Sequence, residues 1–287
     1  MLERSKPYFG PGGNCEAFYA SGAKTTKEAP AWVRSIGLTA YEYEAGRGIT
    51  VGEKVLAEIG RAAADADIHM SLHAPYFISL SGTDPETRLK SISYIEKSAW
   101  AADLLGADTI VVHCGSCAKI TRDEAMRLSA DTLEKTLTAV GYPHVMIGIE
   151  TMGKKNQLGT LQEVIDLCKM DRRLRPVVDF GHLSARDCGG VFSSVDDYRR
   201  VFERIGEALG DEAARNLHCH FSKIEWTDAG EKRHLTFDDG IYGPAYEPLM
   251  EALVRDALTP TIICESAGTQ AYDALAMKEC YEGVMRK

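Results

Sequence analysis

Residues 177–182 read VVDFGH, in which two β-branched residues lead directly into an acid and a histidine follows three positions after it. Five other apolar runs along the chain end in a histidine or a carboxylate in the same manner. They are MSLHAPYF with His73, TIVVHCGS with His113, VMIGIE with Glu150, NLHCHFSK with His218 and His220, and TIICES with Glu265. Successive endings are separated by 29 to 47 residues, which is about the length of one strand and one helix. The pattern therefore predicts a repeated βα unit.

The segments around these endings extend the alternation over the whole chain. Helical patterns lie between the apolar runs, for instance at 86–105, and Thr121–Glu124 and Thr160–Glu163 have the spacing of a capping box. Strands are predicted at 8–10, 36–43, 68–72, 109–112, 145–149, 176–178, 215–219 and 261–264. Eight βα units without a linker predict an α/β fold in which residues 1–287 form a single (β/α)₈ TIM barrel domain. An open dinucleotide-binding sheet is disfavoured, because the first βα turn, GPGGN, lacks the glycine fingerprint.

The composition is that of an ordinary globular protein, with 45% hydrophobic and 26% charged residues. No run of about 18 apolar residues is present, which predicts that no segment spans a membrane. The start, MLERSKPYFG, lacks the apolar middle of a signal peptide, so we expect a cytoplasmic protein whose eight scattered cysteines are reduced. The net charge of −9 argues against a broad surface that coats nucleic acid, although it leaves room for a local basic site.

A barrel fold predicts that the strand endings lie close together, because functional side chains gather at the carboxyl ends of barrel strands. Five of the eight histidines lie on these endings, together with Glu150, Asp179 and Glu265. Carboxylates brought together at a barrel mouth repel each other unless a cation binds between them. Imidazole with carboxylate suits zinc or manganese, and the number of candidate ligands predicts two or three ions with Glu150 as a bridge. Paired ions of this kind commonly serve displacement at phosphorus.

Six segments resemble, in order and spacing, the motifs of the endonuclease IV family of abasic-site endonucleases, within the xylose isomerase-like superfamily. They are HAPYFISL, VVHCGS, IGIETMG, VVDFGH, HCHFSK and ICES. The stretch GLTAYEYEAGRG, together with HAPYFISL, is most similar to the archaeal-type branch of that family. The resemblance covers nearly the whole chain. It implies a (β/α)₈ barrel with a trinuclear zinc site that cleaves the phosphodiester 5′ to an abasic site in DNA.

The resemblance also implies which residues hold the ions. The third ion of the family takes, besides two histidines, an aspartate two residues before the last histidine, and Lys232 stands at that position here. Glu231 is adjacent and could reach the ion instead; otherwise the third site is weak or empty. The implied ligands are His73, His113 and Glu150 for one ion, Glu150, Asp179, His218 and Glu265 for a second, and His182 and His234 for the third.

Further roles follow from the same resemblance. Glu150 or Glu265 would orient or deprotonate the attacking water, and Tyr76 resembles the family tyrosine near the abasic site, although it also fits a core aromatic. DNA is expected to contact loops on the same rim. Glu42 and Glu44 make the second loop less basic than in bacterial-type members, which weakens the expectation of a DNA substrate more than that of a metal site. We expect a monomer, and the candidate DNA contacts are Arg47, Lys119, Lys154, Lys155, Arg186, Lys223 and Arg233.

Two other functions stay open at this point. A sugar isomerase or epimerase of the same superfamily would use a single-metal set that resembles Glu150, Asp179, His218 and Glu265. Such an enzyme has no need for the four further histidines, which favour the phosphodiesterase; these are His73, His113, His182 and His234. The third possibility is a non-catalytic metal-bound or nucleic-acid-binding protein that lost activity with its third ion, and only Lys232 supports it.

Overall fold

The structure, a computed structural model, describes residues 5–286. Ten strands lie within this part of the chain. They are β1 Tyr8–Pro11, β2 Ala40–Glu44, β3 His69–His73, β4 Thr109–His113, β5 Met146–Glu150, β6 Leu174–Asp179, β7 His218–Phe221, β8 Ile224–Thr227, β9 Gly230–His234 and β10 Thr261–Cys264. All eight strands that the sequence predicts are among them.

Eight of the ten strands form one parallel sheet in the order β1-β10-β7-β6-β5-β4-β3-β2. The two ends of this order lie next to each other. The backbone N–H of Thr39 donates to the carbonyl oxygen of Phe9, and the N–H of Gly13 donates to that of Glu42, each at 2.9 Å. The sheet therefore closes into a nearly complete barrel, which confirms the predicted (β/α)₈ architecture.

Gly10 explains how β1 comes so close to β2. A Cβ atom at this position would lie 1.8 Å from the carbonyl oxygen of Ala40, far inside van der Waals contact. Because glycine has no Cβ, the two backbones can approach where the barrel closes.

Helices surround the barrel. Their ends follow signals in the sequence: Asp84 accepts hydrogen bonds from the backbone N–H groups of Glu86 and Thr87, and Thr160 and Glu163 form the predicted capping box. The helices are α1 Glu16–Ala20, α2 Ala29–Ser35, α3 Glu53–Asp65, α4 Pro85–Leu105, α5 Arg122–Ala139, α6 Leu161–Cys168, α7 Phe180–Arg186, α8 Val195–Leu209, α9 Asp211–Arg215, α10 Glu247–Arg255 and α11 Gln270–Met285, with a 3₁₀ turn at Thr26–Glu28.

Alternation along the strands separates the apolar core from the barrel interior, since successive side chains point to opposite faces. Tyr41, Leu72 and Phe221 belong to the hydrophobic core between the sheet and the helices. Their neighbours Glu42 and His220 are equally buried but contact each other inside the barrel. The interior is therefore polar towards its carboxyl-terminal mouth.

The sequence did not predict the antiparallel hairpin of β8 and β9, which follows β7. Its second strand, GEKRH, has no apolar alternation, so no periodic signal identifies it. No helix among residues 5–286 has the length and apolar content required to cross a membrane.

Candidate metal centre

The predicted strand endings meet at one rim of the barrel. In the backbone register His113 lies opposite Glu150, and Asp179 lies opposite His220. Parallel strands of a barrel carry their carboxyl ends on the same face, which explains why endings so distant in sequence converge. The rim residues are His73, His113, Glu150, Asp179, His220 and Glu265.

The carboxylate of Glu150 lies at the centre of this cluster. Its Oε2 atom is 3.2 Å from Nε2 of His113 and 3.5 Å from Nε2 of His73. Its Oε1 atom is 3.0 Å from Nδ1 of His220 and 3.4 Å from Nδ1 of His182. Glu150 is completely buried, so four imidazoles surround a carboxylate that water does not reach.

Several groups of side chains within residues 5–286 bring their ligand atoms close enough to hold a metal ion, with all ligand atoms of a group within 4.8 Å of one another. Three of these groups lie along the rim. Two of them share Glu150, and the third adjoins it through His182. The three groups are His73, His113 and Glu150; Glu150, Asp179, His220 and Glu265; and His182, Glu231 and His234.

Two orphaned oxygens indicate that cations belong at this rim. Oε2 of Glu150 and Oδ2 of Asp179 are buried and accept no hydrogen bond of good geometry from any group within residues 5–286, although imidazole nitrogens lie 3.2 to 3.5 Å away. A buried acceptor without a partner carries its full desolvation cost, which a bound cation would offset. Imidazole and carboxylate ligands suit divalent zinc or manganese. The side chains present therefore fit divalent ions.

The stretch VVDFGH connects two of the groups. Asp179 caps α7, because its Oδ1 accepts a hydrogen bond of 2.7 Å from the backbone N–H of His182. Nδ1 of His182 lies 3.0 Å from the carbonyl oxygen of Thr151, while Nε2 lies 3.6 Å from Oε2 of Glu231. The helix start thus directs Asp179 to one group and His182 to the next.

The pKa values reflect the close approach of acids and imidazoles. Burial by itself would raise the pKa of Glu150, but the imidazoles around it, His220 foremost, hold it well below its usual range. Burial also opposes protonation of His73, yet Glu150 and Glu44 raise its pKa to about 10. Burial and nearby carboxylates raise the pKa of Glu265 to about 8. The cluster therefore holds protons near neutral pH that a bound cation would displace.

Residues 30–280 match the family described as Xylose isomerase-like TIM barrel. The chain belongs to this family. An uncharacterised protein of Methanocaldococcus jannaschii is 31% identical over 254 residues, which are 87% of this chain and 89% of that relative. A probable endonuclease 4 of Acholeplasma laidlawii is 27% identical over 192 residues, 66% of this chain, and the match spans 64% of that relative.

Solved members of the fold include enzymes of two kinds. The crystal structure of endonuclease IV from Thermus thermophilus has a TM-score of 0.68 and 18% identity, and the match covers 98% of this chain and 99% of that one. A 3-keto-D-glucoside 4-epimerase from E. coli has the same TM-score and 17% identity, and the match covers 96% of this chain and all of that one. At these identities the likeness concerns the fold.

At β7 the structure differs from the ligand assignment that the sequence resemblance implies. The group with Glu150, Asp179 and Glu265 contains His220, where the sequence-based assignment has His218. Both side chains point into the barrel, because they are two residues apart on one strand. His220 is closer to the carboxyl end and reaches the rim, whereas His218 lies below it with Nε2 3.0 Å from Oε2 of Glu42.

A β-bulge lies at Lys232, where the sequence departs from the family pattern. In the hairpin, Arg233 lies opposite Glu225 and Glu231 lies opposite Trp226, so Lys232 is the extra residue. Lys232 and Arg233 both point outwards, and each donates to Glu225 at 2.6 Å. Glu231 consequently faces the rim group of His182 and His234, and its carboxylate lies close enough to their imidazoles for the three to hold one ion.

Two of the residues predicted to contact DNA are exposed at the mouth of the barrel. Tyr76 is 57% exposed, and its ring centre lies 5.1 Å from that of His73 and 5.6 Å from that of His113. Its hydroxyl donates to Glu44 at 3.3 Å. Tyr76 is thus a lining residue of the mouth and not a core aromatic. Arg47, in the loop after β2, is exposed.

Two other predicted DNA contacts have partners within the protein. Nζ of Lys223 donates to the carbonyl oxygens of Phe237 and Asp239, so this side chain supports the loop after the hairpin. Arg233 is 68% exposed but pairs with Glu225. These contacts make Lys223 a poor candidate for a phosphate contact.

Arg186, also a candidate for DNA contact, is buried under the loop that follows β5. Its guanidinium donates to the carbonyl oxygens of Met152 at 3.0 Å and Lys154 at 2.8 Å. Arg122 donates to the carbonyl oxygen of Lys155 from the other side at 3.0 Å. Arg186 therefore holds this loop in place beside the rim.

Sequence reasoning missed Glu42 as a residue of the centre. It considered Glu42 only as a charge that reduces the basicity of a loop, yet the side chain is fully buried between His218 and His220. Burial by itself would raise the pKa of Glu42, but the imidazoles of His220 and His218 hold it well below the usual range. Glu42 lies within the strand that the sequence predicts at 36–43, and an acid inside a predicted barrel strand is the signal that could have identified it.

Proposed function

We propose that the protein is a zinc-dependent phosphodiesterase that resembles endonuclease IV and hydrolyses the phosphodiester 5′ to an abasic site in DNA. The observation that carries this proposal is the three adjoining groups of ligands along the rim, of which two share Glu150. Two to three ions, with manganese as the alternative to zinc, are the expected complement. A second and third ion are of use in displacement at phosphorus, which favours this function over single-ion chemistry.

Divalent ions, when bound, supply positive charge that stabilises the charge developing on phosphate oxygens. Glu265 is the better placed of the two candidate catalytic carboxylates. It is partly exposed at the mouth, whereas Glu150 is buried and surrounded by imidazoles. We therefore assign to Glu265 the orientation or deprotonation of the attacking water, and to Glu150 the anchoring of the ligand groups.

DNA would approach the mouth on the side of β2 and β3. Tyr76 exposes its ring directly beside His73 and His113, where it could contact the deoxyribose at the lesion. Arg47 is an exposed cation on the neighbouring loop and suits a phosphate contact. Lys223 and Arg233 would act mainly through the loop and the hairpin that they stabilise.

A duplex with one abasic analogue tests this proposal. We expect the metal-loaded protein to incise it 5′ to the analogue, and Glu265→Gln to reduce the rate by about 100-fold or more. The matched control is Glu212→Gln, an exposed glutamate of α9 before β7, at the amino end of the barrel, which should incise at the wild-type rate. The absence of incision by the wild type, or equal rates for Glu265→Gln and the wild type, would contradict the proposal.

A sugar epimerase or isomerase is the second candidate. The observation in its favour is that Glu150, Asp179, His220 and Glu265 form a complete four-residue group without the other ligands. Metal analysis separates the two functions, since about one ion per chain supports the epimerase and two or three support the phosphodiesterase. Turnover of a ketose or aldose without incision of DNA would decide for the epimerase.

A further inference from the structure

Glu42 is a buried carboxylate that neither candidate reaction uses. It lies on β2 inside the barrel, one layer below the rim, and solvent does not reach it. Its Oε2 atom accepts a hydrogen bond of 2.7 Å from the hydroxyl of Ser71 and lies 3.0 Å from Nε2 of His218. A carboxylate at such a depth is costly unless its partners have a definite orientation.

The other oxygen of Glu42 faces a residue of the metal centre. Oε1 of Glu42 lies 2.8 Å from Nε2 of His220. Within residues 5–286, neither of these two buried atoms makes a hydrogen bond of good geometry, to the other or to any further group. The contact therefore pairs two atoms that have no alternative partner.

The two ring nitrogens of His220 face different surroundings. Nε2 faces Glu42, while Nδ1 lies 3.0 Å from Oε1 of Glu150 and 3.3 Å from Oε1 of Glu265. A neutral imidazole carries one N–H, and the other nitrogen offers a lone pair. If the N–H is on Nε2, the lone pair of Nδ1 points to the carboxylates of the centre, so a cation, or in its absence a second proton on Nδ1, must lie between them.

We propose that Glu42 is a positioning residue for the metal centre: it holds the N–H of His220 on Nε2 and so presents Nδ1 as a ligand. A carboxylate behind a ligating imidazole fixes its tautomer and ring orientation in this way. Ser71 and His218 keep the carboxylate of Glu42 in place. His218 thereby supports the ligand His220 indirectly, through Glu42, which gives each of the two histidines on β7 a role. The inference rests on the metal centre of the proposed function, not on DNA cleavage.

The ring of His220 itself provides the first test. Nitrogen-15 NMR of the full-length, zinc-loaded wild type should show Nε2 protonated and Nδ1 bound to the ion. In Glu42→Gln, which has the same shape, the Nε2 proton resonance of His220 should shift upfield, because a neutral amide oxygen accepts a weaker hydrogen bond than a carboxylate. A wild type with the proton on Nδ1 would overturn the proposal without recourse to any variant.

Zinc affinity provides the second test. Metal-stripped protein is titrated with zinc in competition with a chelator. In Glu42→Gln, one equivalent of zinc should bind with an affinity about 10- to 100-fold lower than in the wild type. The equivalent held by His182, Glu231 and His234 should keep its wild-type affinity. Glu163→Gln is the control for loss of stability, because Glu163 is also held by internal hydrogen bonds but its partners are Arg122 and the backbone of residues 159 and 160.

Several outcomes would overturn the inference. Equal weakening of all equivalents would assign Glu42 a purely structural role. Complete loss of one equivalent, with the Nε2 proton resonance of His220 unchanged, would mean that Glu42 holds an ion of its own with His218 and His220, a group that is close enough to do so. If Glu42→Gln does not fold, Ser71→Ala removes one hydrogen bond to Glu42 and should weaken binding of the same equivalent of zinc to a smaller extent.

Weakened zinc binding by Glu42→Gln, in a protein whose wild type incises no DNA, would contradict the proposed function and leave this inference intact.

Discussion

Glu265 lies on the solvent side of the centre, where burial and the carboxylates of Glu150 and Asp179 raise its pKa to about 8. His73, for which burial is outweighed by Glu150 and Glu44, has a pKa of about 10. Both side chains therefore carry a proton at pH 7 before an ion binds. An incoming cation must displace these protons, so the affinity for a divalent cation depends on pH.

From these pKa values we expect zinc to bind more tightly as the pH rises from 6 to 8. Below its pKa, each proton that must leave weakens the apparent affinity tenfold per pH unit, and both groups lie in that range. Calorimetry in buffers with different ionisation enthalpies would count the protons released. An affinity that does not change between pH 6 and 8, with no proton release, would show that Glu265 and His73 are already deprotonated.

At the scale of an element, the bulge in β9 decides which side chains face the centre. Lys232 points outwards to Glu225, while Glu231 points to His182 and His234. We expect Glu231→Gln to lower the zinc content by one ion per chain. Lys232→Ala is the matched neighbour and should keep the full content, as measured by elemental analysis. Loss of an ion from Lys232→Ala alone would contradict the bulged register.

The barrel closes where β1 approaches β2, and a substitution at Gly10 tests this close approach. In Gly10→Ala the new methyl group would meet the carbonyl oxygen of Ala40, so the strands must separate. We expect the free energy of unfolding to fall by about 2 kcal/mol or more, measured by urea denaturation. Gly141→Ala, where nothing lies within 4 Å of the new atom, should change it by less than about 0.5 kcal/mol. Similar values for the two variants would argue against closure at Gly10.

At the scale of the whole molecule, we propose that residues 1–287 act as one domain and as a monomer. Strands from the start and the end of the chain, β1 and β10, pair directly, so they should unfold together. Thermal unfolding should thus show one transition, and a chelator should lower its midpoint, because an ion at about 1,000 times its Kd stabilises the folded state by about 4 kcal/mol. Two separate transitions, or a midpoint unaffected by the chelator, would contradict this expectation. Light scattering would measure the oligomeric state.

The sequence by itself determined the barrel and most residues of the rim. Apolar runs that end in His73, His113, Glu150 and Asp179 at the spacing of βα units specify both, because residue type and period are local properties. The resemblance to endonuclease IV added roles for those residues.

Only the tertiary structure placed His220 at the rim and His218 below it, inserted Lys232 as a bulge, and placed Glu42 beside His220. The physical reason is that both histidines point into the barrel, and their depth depends on where β7 stands relative to its neighbours. The bulge likewise depends on pairing with β8, and the contact of Glu42 with His220 joins strands that are 178 positions apart in sequence. Strand register and cross-barrel contacts are set by packing, which no local pattern records.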